Sequence, residues 1–418
     1  MKDRHLFVSL NSNSWGSAAI ARTIADELSA MGDQVVSFFH AGISSVMAGG
    51  DYRCEALPEH MGPLVSVVLD NLKAELNPTT IVLADYFANA NFFYRMGVVP
   101  DLLFSGDASI LAIDPWHLEH TGYQVDTTMG RTSEVGPEND QDRSWYRRHF
   151  ESVVQKLKPV PMVSPAVSKE CFCTLPESIA PQVTAGREWR NRLGLSGKHK
   201  AILFCTNGWQ HPQEQSPLKR IGDGLPRLLA EHVRRLGSSV HLVHVGPQAY
   251  PLDQQLERRY HWLPSLPPAE FDALVNSVDL MVSANISAVT IAKAMTLGVP
   301  VVVLQNSFSG STSVEVAQLL AERPSTWMKM WLDQVVPLGS FALWPIGFHR
   351  FLAPLLKDNP YLSALRAIEI LDEQMMHKEL AALLYNRTQR EEQLHRQAGY
   401  LTQIRALPSG AQAIKAIC

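Results

Sequence analysis

Tyr260–Asn306 reads YHWLPSLPPAEFDALVNSVDLMVSANISAVTIAKAMTLGVPVVVLQN, and its alternation of apolar runs and breakers decides the fold expected of the whole chain. Pro267 and Pro268 open a short helix that carries Phe271, Leu274 and Val275 on one face. Leu280–Val282 is an apolar run between Asp279 and Ser283, which predicts a buried strand. After a loop at Ala284–Ser287, a helix is expected over Ala288–Leu297. Gly298 and Pro300 stop it, and Val299–Leu304 is apolar enough for the middle of a parallel sheet. In a strand, loop, helix, strand unit of this kind, the helix N-terminus turns free N–H groups toward the carboxyl edge of the sheet, where a phosphate is well held. The same pattern also fits a plain crossover that binds nothing.

The turn that precedes the first of these helices holds Trp262, Leu263 and Pro264, and the close of the unit holds Gly298, Val299 and Pro300. On those residues the stretch resembles the donor-binding segment of GT-B glycosyltransferases, the class that includes UDP-glycosyltransferases and the N-acetylglucosaminyltransferase that makes lipid II. In that class a tryptophan-containing turn packs on the base. A loop written H-G-G-x-G-S-x-x-E then meets the diphosphate and ribose, and G-x-P-x-(V/I)-x-x-P closes the unit. Counted back from Gly298, Asn285 stands at the histidine of that loop, Ile286 and Ser287 at its two glycines, Thr290 at its serine and Lys293 at its ribose-binding glutamate. A lysine accepts no hydrogen bond from a ribose hydroxyl, although as a point charge it can meet a phosphate or a carboxylate. The resemblance implies two Rossmann-like, doubly wound α/β domains facing a central cleft. It also implies a UDP- or dTDP-sugar as co-substrate, with no tightly bound cofactor.

Length and composition agree with two domains. At 418 residues the chain exceeds one ordinary core, and 46% apolar against 19% charged residues leaves ample material for two. A net charge of -4 lacks the basic footprint of a nucleic-acid binder. The opening MKDRHLFVSL has too short an apolar run for a signal peptide, and no stretch reaches the roughly 20 apolar residues of a membrane span. A cytoplasmic location is therefore expected. Cys54, Cys171, Cys173, Cys205 and Cys418 are scattered, which predicts free thiols and no metal site.

The first half begins with a βαβ pattern: Leu6–Leu10 as a strand, a polar loop, a helix faced by Ile20, Ile24 and Leu28 and ended at Gly32, then Val35–Phe39 as a strand. The resemblance places a glycine-rich turn in that loop, often with a histidine. Gly16 fits the turn, and Ser17 stands at the histidine. Asn11, Asn13 and Ser14 offer hydrogen bonds to a sugar or acceptor, and they equally suit a helix cap. Val65, Val68, Leu69, Leu72 and Leu76 mark a second helix, and the strand Ile81–Ala84 leaves Asp85 at its carboxyl end. The apolar run Ile110–Ile113 delivers Asp114 in the same way, with Trp116, His117, Glu119 and His120 behind it. Such positions line the crevice of an open α/β sheet, so Asp85, Asp107 and Asp114 are candidates for a general base, with Asp114 first. Each also fits a helix cap or a turn. His117 and His120 read as acceptor-site or surface residues.

Thr127–Asp142 is polar and glycine-rich and reads as a mobile loop over the cleft, and Trp145–Leu157 reads as helical. PVPMVSPAV, starting at Pro159, favours an extended connector. These features set the expected boundaries: a first domain over 1–165, a linker over 166–198 that includes the short helix GREWRNRLGL, a nucleotide-sugar-binding domain over 199–397, and a final helix over 398–418 packing back on the first domain.

The second domain opens with the strand Ile202–Cys205 and the loop Thr206, Asn207, Gly208 and Trp209, which by the resemblance faces the donor phosphates. Gln305 and Asn306 fall where related enzymes bind the hydroxyls of the transferred sugar, a task amides suit because they both donate and accept. The segment 323–361 is crowded with Trp327, Trp331, Phe341, Trp344, Phe348 and Phe351. It has three readings: an aromatic insertion lining the acceptor cleft, a homodimer contact, or an irregular segment packed on the core.

The expected activity is transfer of a sugar from a nucleotide sugar to a small-molecule, peptide or protein acceptor, as in bacterial-type biosynthesis. Two other readings stay open. One is a GT-B nucleotide-sugar epimerase, and the other is a glycosyltransferase-like protein without catalysis that binds a peptide or a partner enzyme.

Overall fold

The computed structural model of the protein describes residues 2–12, 15–98, 106–159, 171–173, 183–320 and 324–418. Asn13, Ser14 and the expected boundary near 165 lie outside them. The chain divides into two compact units. One comprises Met1–Tyr123, Glu134–Glu177 and Gln403–Cys418, and the other Gln124–Ser133 and Ser178–Thr402.

The first unit is built on the parallel strands β1 (Arg4–Ser9), β2 (Gln34–His40), β3 (Arg53–Leu57), β4 (Thr80–Leu83) and β5 (Ser109–Ile113). After a small hairpin, β6 (Gln124–Asp126) and β7 (Thr132–Glu134), come β8 (Gln155–Pro159) and β9 (Cys171–Phe172), and the sheet runs β3-β2-β1-β4-β5-β8-β9. Leu6, Phe7 and Val8 are buried on both faces of β1, as a sheet covered by helices on both sides requires. The helix Trp15–Ala30 buries Ile20, Ile24 and Leu28 as its spacing predicts. The helix Val65–Leu76 ends where Asn77 turns left-handed ahead of Pro78.

The end of one expected helix is a strand instead. The helix expected to run to Leu157 is Asp140–Ser152, and β8 follows it. Lys156 and Lys158 hide that strand from hydropathy. Lys158 is nevertheless buried, and Lys156 Nζ lies 2.6 Å from Glu119 Oε1.

The second unit holds β10 (Lys200–Cys205), β11 (Val240–Val245), β12 (Tyr260–Leu263), β13 (Leu280–Ser283), β14 (Val301–Gln305), the short pair β15 (Phe341–Leu343) and β16 (Gly347–Phe348), and β17 (Arg366–Glu369). The main sheet runs β12-β11-β10-β13-β14-β17, with every neighbour parallel. This is the strand order of dinucleotide-binding folds, in which the sequence direction reverses between β10 and β13 and opens a crevice at their carboxyl ends.

The start of the mobile loop expected over Thr127–Asp142 is part of a hairpin, and residues Gln124–Ser133 belong to this unit. Thr128 N–H donates to Ile346 O at 2.9 Å and Thr128 Oγ1–H to Pro345 O at 2.6 Å. Asp126 accepts from the Arg350 and Phe351 N–H groups at 3.0 and 2.8 Å and so caps the helix His349–Leu356, whose own N-cap residue, Phe348, makes no side-chain cap. Gly347 has φ +118°, and a Cβ there would run into the Thr127–Thr128 backbone, so this crossing requires glycine.

The aromatic segment is core. Trp331, Phe341, Trp344, Phe351 and Tyr361 are all buried, and Trp331 Nε1–H donates to Gly224 O at 2.7 Å. Of the three readings of 323–361, the burial of these side chains fits an irregular segment packed on the core.

Candidate functional site

The carboxyl edge of the β10–β17 sheet collects the residues that the sequence singles out in this unit. After β13 the chain turns through Ala284–Ala288 into the helix Val289–Thr296. Asn285 closes that turn on itself: its Oδ1 accepts from Ser287 N–H at 2.9 Å and from Ser287 Oγ–H at 2.7 Å. Backbone contacts brace the turn from the aromatic segment, with Trp344 N–H donating to Ala284 O and Ile286 N–H to Ala342 O. The N-cap position, Ala288, has no side chain able to cap, so the first turn of the helix keeps uncapped N–H groups at the positive end of its dipole. Thr290 stands in that turn with its Oγ1 buried and without a hydrogen-bond partner among the described residues.

Across the switch point, Thr206 follows β10, and Asn207 opens the 3-10 turn Gly208–Gln210, its N–H held by Gln210 Oε1 at 3.0 Å. The Gln210 amide in turn donates to Trp344 O, which ties the loop after β10 to the segment that braces the loop after β13. At the end of β12, Trp262 is 40% exposed, and its Nε1–H donates to Gly246 O at 3.0 Å. Gly246 N–H donates to Leu263 O at 3.1 Å. The indole is thus fixed at one edge with a face open to solvent, a form suited to stacking on a planar base.

Two of the expected site residues have other work. Asn306 is 0% exposed. Its Nδ2 donates to Phe308 O and Gly339 O, and its Oδ1 accepts from Phe308 N–H, so the whole amide folds the loop that follows β14 and offers nothing to a sugar. Lys293 Nζ lies 2.7 Å from Asp272 Oδ1 on the helix Pro268–Val275, so its charge links two helices and is already paired. Gln305 keeps its expected place at the end of β14. Its Nε2 donates to Glu369 Oε1 at 2.9 Å, and Glu369 also accepts from Ser307 N–H and Oγ–H. Glu369 ends the sixth strand of this sheet, which the sequence reading did not identify.

In the first unit, adjacent strands deliver Asp85 and Asp114 to one sheet edge, after β4 and β5. Asp85 Oδ1 accepts from Ala88 N–H at 3.0 Å and caps the helix Tyr86–Arg95, the other role its position allows. Asp114 is 3% exposed. Its Oδ2 accepts from Leu118 N–H at 3.2 Å, while its Oδ1 is buried with no hydrogen-bond partner among the described residues. Burial pushes its carboxyl up to about 7, against the opposing pull of the Leu118 amide and the Lys158 ammonium. Asp107 is exposed, and His117 sits in a left-handed turn ahead of the helix Leu118–Thr121.

For a metal, Asp3, His5 and Asp33 form a group among the described residues whose ligand atoms lie within 4.8 Å of one another. The Lys415 ammonium, 2.8 Å from Asp33 Oδ2, already supplies a cation there.

Residues 24–418 match the model of DUF6365, a family of unknown function, and the chain belongs to that family. No curated protein matches the sequence. Among solved structures, the chain is similar to the spinosyn forosaminyltransferase SpnP, with 15% identity over 100% of this chain and 98% of that one and a TM-score of 0.52. It is similar to Arabidopsis thaliana UGT89C1 complexed with quercetin at 11% identity, 100% and 98% coverage and TM-score 0.51. It is also similar to the spinosyn rhamnosyltransferase SpnG complexed with thymidine diphosphate at 13% identity, 99% and 99% coverage and TM-score 0.50. The fold is that of the GT-B glycosyltransferases, two parallel-sheet α/β domains. No helix among the described residues is long and apolar enough to cross a membrane.

Proposed function

We propose that this DUF6365 protein, working from a GT-B scaffold, takes a sugar from a UDP- or dTDP-sugar and passes it to a small-molecule or peptide acceptor. The observation that carries the reading is the uncapped first turn of the helix Val289–Thr296 at the switch point, with the unpartnered Thr290 hydroxyl inside it. Orphan N–H groups at the positive end of a helix hold a diphosphate, and they hold it more strongly as it leaves with the bonding electrons of the sugar–phosphate bond. Trp262 supplies a stacking face for the base, and Gln305 an amide for the sugar hydroxyls. The thymidine diphosphate in the SpnG complex is in keeping with such a donor.

Asp114 is the proposed base. Attack by an acceptor hydroxyl on the anomeric carbon forms the new glycosidic bond and expels the nucleoside diphosphate. The proton lost from the hydroxyl goes to the Asp114 carboxylate. A carboxyl with a pKa near neutrality is matched to that transfer, since a more acidic one would hold the proton too weakly.

One observation favours a second reading, binding without transfer: Lys293, at the position of the ribose-binding glutamate, is neutralised by Asp272 and contributes no acceptor for ribose. Thermal unfolding with UDP, dTDP and their hexose conjugates, followed by a donor-hydrolysis assay, separates the two. A midpoint shift with turnover of the conjugate supports transfer. A shift without turnover supports nucleotide binding alone, and no shift with any nucleotide overturns transfer and favours a protein that binds a peptide or a partner enzyme.

A further inference from the structure

The β10–β17 unit has a hollow of about 540 Å³ lined by Arg227, Pro251, Gln254, Gln255 and Trp327. That volume falls in the range of small-molecule sites. None of these residues belongs to the site described above, and the proposed function makes no use of them. They come from separate stretches of the chain. Arg227 stands in the middle of the helix Lys219–Arg235, Pro251, Gln254 and Gln255 follow β11, and Trp327 opens the helix Thr326–Val335.

Arg227 is the residue that points to a ligand. On a helix an arginine ordinarily pairs with a carboxylate three or four positions away. Asp223 and Glu231 stand four residues before and after it, and both are engaged by other cations. Asp223 Oδ2 lies 3.0 Å from Lys219 Nζ. Glu231 meets Arg234 Nε at 2.7 Å and Arg235 Nε at 2.9 Å, and its side chain is only 3% exposed. The half-buried Arg227 is left with no ion pair or hydrogen bond to its guanidinium among the described residues, and no carboxylate lines the hollow.

The other walls complete the chemistry. Trp327 is half-buried and packs against the core of this unit, beside the buried Met328 and Trp331, so its indole is a fixed planar wall. Gln255 Nε2 donates to Arg227 O at 3.2 Å, which holds that side chain against the helix, and Gln254 adds an exposed amide. The hollow therefore offers one positive charge, one aromatic surface and amides. A carboxylate matches a lone guanidinium in charge and in its two-pronged geometry. A nucleoside diphosphate carries several negative charges and would find a single cation.

We propose that this hollow binds a small aromatic carboxylate, with the carboxylate on the Arg227 guanidinium, the ring on the Trp327 indole and polar substituents on the amides of Gln254 and Gln255. The inference does not rest on the nucleotide reading, because the two sites share no residue.

Naphthalene-2-carboxylate is the probe, and naphthalene-2-carboxamide is its uncharged match, in calorimetric titration of the full chain. The carboxylate is expected to bind the wild type, and the amide at least about 10-fold more weakly. Arg227→Gln is expected to lose affinity for the carboxylate on the order of 10- to 100-fold. Indole N–H spectra, with Trp327→Phe to assign the resonance, should show Trp327 moving with the carboxylate and unmoved by UDP. The comparison of carboxylate with amide needs no substitution and so holds even if a variant folds poorly. The assignment is overturned if the wild type does not bind the carboxylate, if it binds the amide equally, or if a folded Arg227→Gln binds as the wild type does. It is also overturned if saturating carboxylate leaves the Trp327 resonance in place, or if UDP moves it.

Discussion

The Lys293 ammonium lies 2.7 Å from Asp272 Oδ1, and each side chain is largely covered by the two helices that the pair connects. The residue at the position of a ribose-binding glutamate therefore serves the fold. Lys293→Ala is expected to leave UDP and dTDP affinity within about twofold and to lower stability by about 1 kcal/mol, in the range of a partly exposed ion pair. A double-mutant cycle with Asp272→Ala measures the coupling. A large loss of nucleotide affinity in Lys293→Ala with an intact midpoint would return the lysine to the ligand.

Asp114 predicts a pH dependence with a definite sign. Its carboxyl is raised from 3.8 to about 7 in the folded chain, so between those values the folded state binds more protons than the unfolded state. The stability associated with the protonated form is full below about pH 4 and is lost as the pH rises through about 7. Asp114→Asn removes that slope and should be the more stable protein at pH 8, by an amount on the order of a few kcal/mol. Urea midpoints between pH 4 and pH 8 check it. If Asp114 is the base, the same substitution lowers turnover about 10²- to 10⁴-fold while donor affinity holds.

Trp262 is anchored by one hydrogen bond and is 40% exposed, so Trp262→Ala should cost less stability than loss of a core tryptophan. Loss of a stacked aromatic is expected to weaken nucleotide and nucleoside binding alike, by about 1 to 3 kcal/mol. Equal affinity in wild type and Trp262→Ala, read by titration with uridine and thymidine, would remove the indole from the site.

Much of the fold was legible from Tyr260–Asn306 because β13 and β14 are short apolar runs, the first set off by Asp279 and the second by Gly298 and Pro300, and parallel strands buried on both faces carry that signal most clearly. β8 was not legible. Lys156 and Lys158 belong to a partly covered strand whose charges are met by Glu119 and, at a distance, Asp114, partners that no local window contains. The hairpin that begins within the loop expected over Thr127–Asp142 was hidden for a related reason, since its acceptors are the carbonyls of Pro345 and Ile346, more than two hundred positions away. The site was partly legible. Asp114 was singled out from its place after the run Ile110–Ile113, whereas Trp262, Lys293 and Asn306 were proposed only from likeness to a donor-binding segment whose loop glycines are absent here. The hollow at Arg227 and Trp327 was not legible, because its lining comes from separate stretches that only the fold brings together. Local spacing points the other way there, since Asp223 and Glu231 stand four residues either side of Arg227 and read as its partners.

Asp126 offers a test of the hairpin. It supplies the cap that Phe348 does not, through the N–H groups of Arg350 and Phe351. Asp126→Ala leaves those two groups uncapped and is expected to destabilise the chain by about 1 to 3 kcal/mol. Amide exchange should quicken first in the helix His349–Leu356. Unchanged exchange there would mean that the hairpin is not what holds that helix end.

The central claim is that the first turn of the helix Val289–Thr296 receives a diphosphate, and backbone amide spectra read it most directly. On titration with UDP or dTDP, the Val289 and Thr290 N–H resonances should move far downfield and saturate together with the Trp262 indole N–H, while inorganic sulfate shifts the amides alone. Saturating nucleotide that leaves Val289 and Thr290 in place, or that perturbs only residues elsewhere, such as the hollow lined by Arg227, Gln255 and Trp327, would contradict the account.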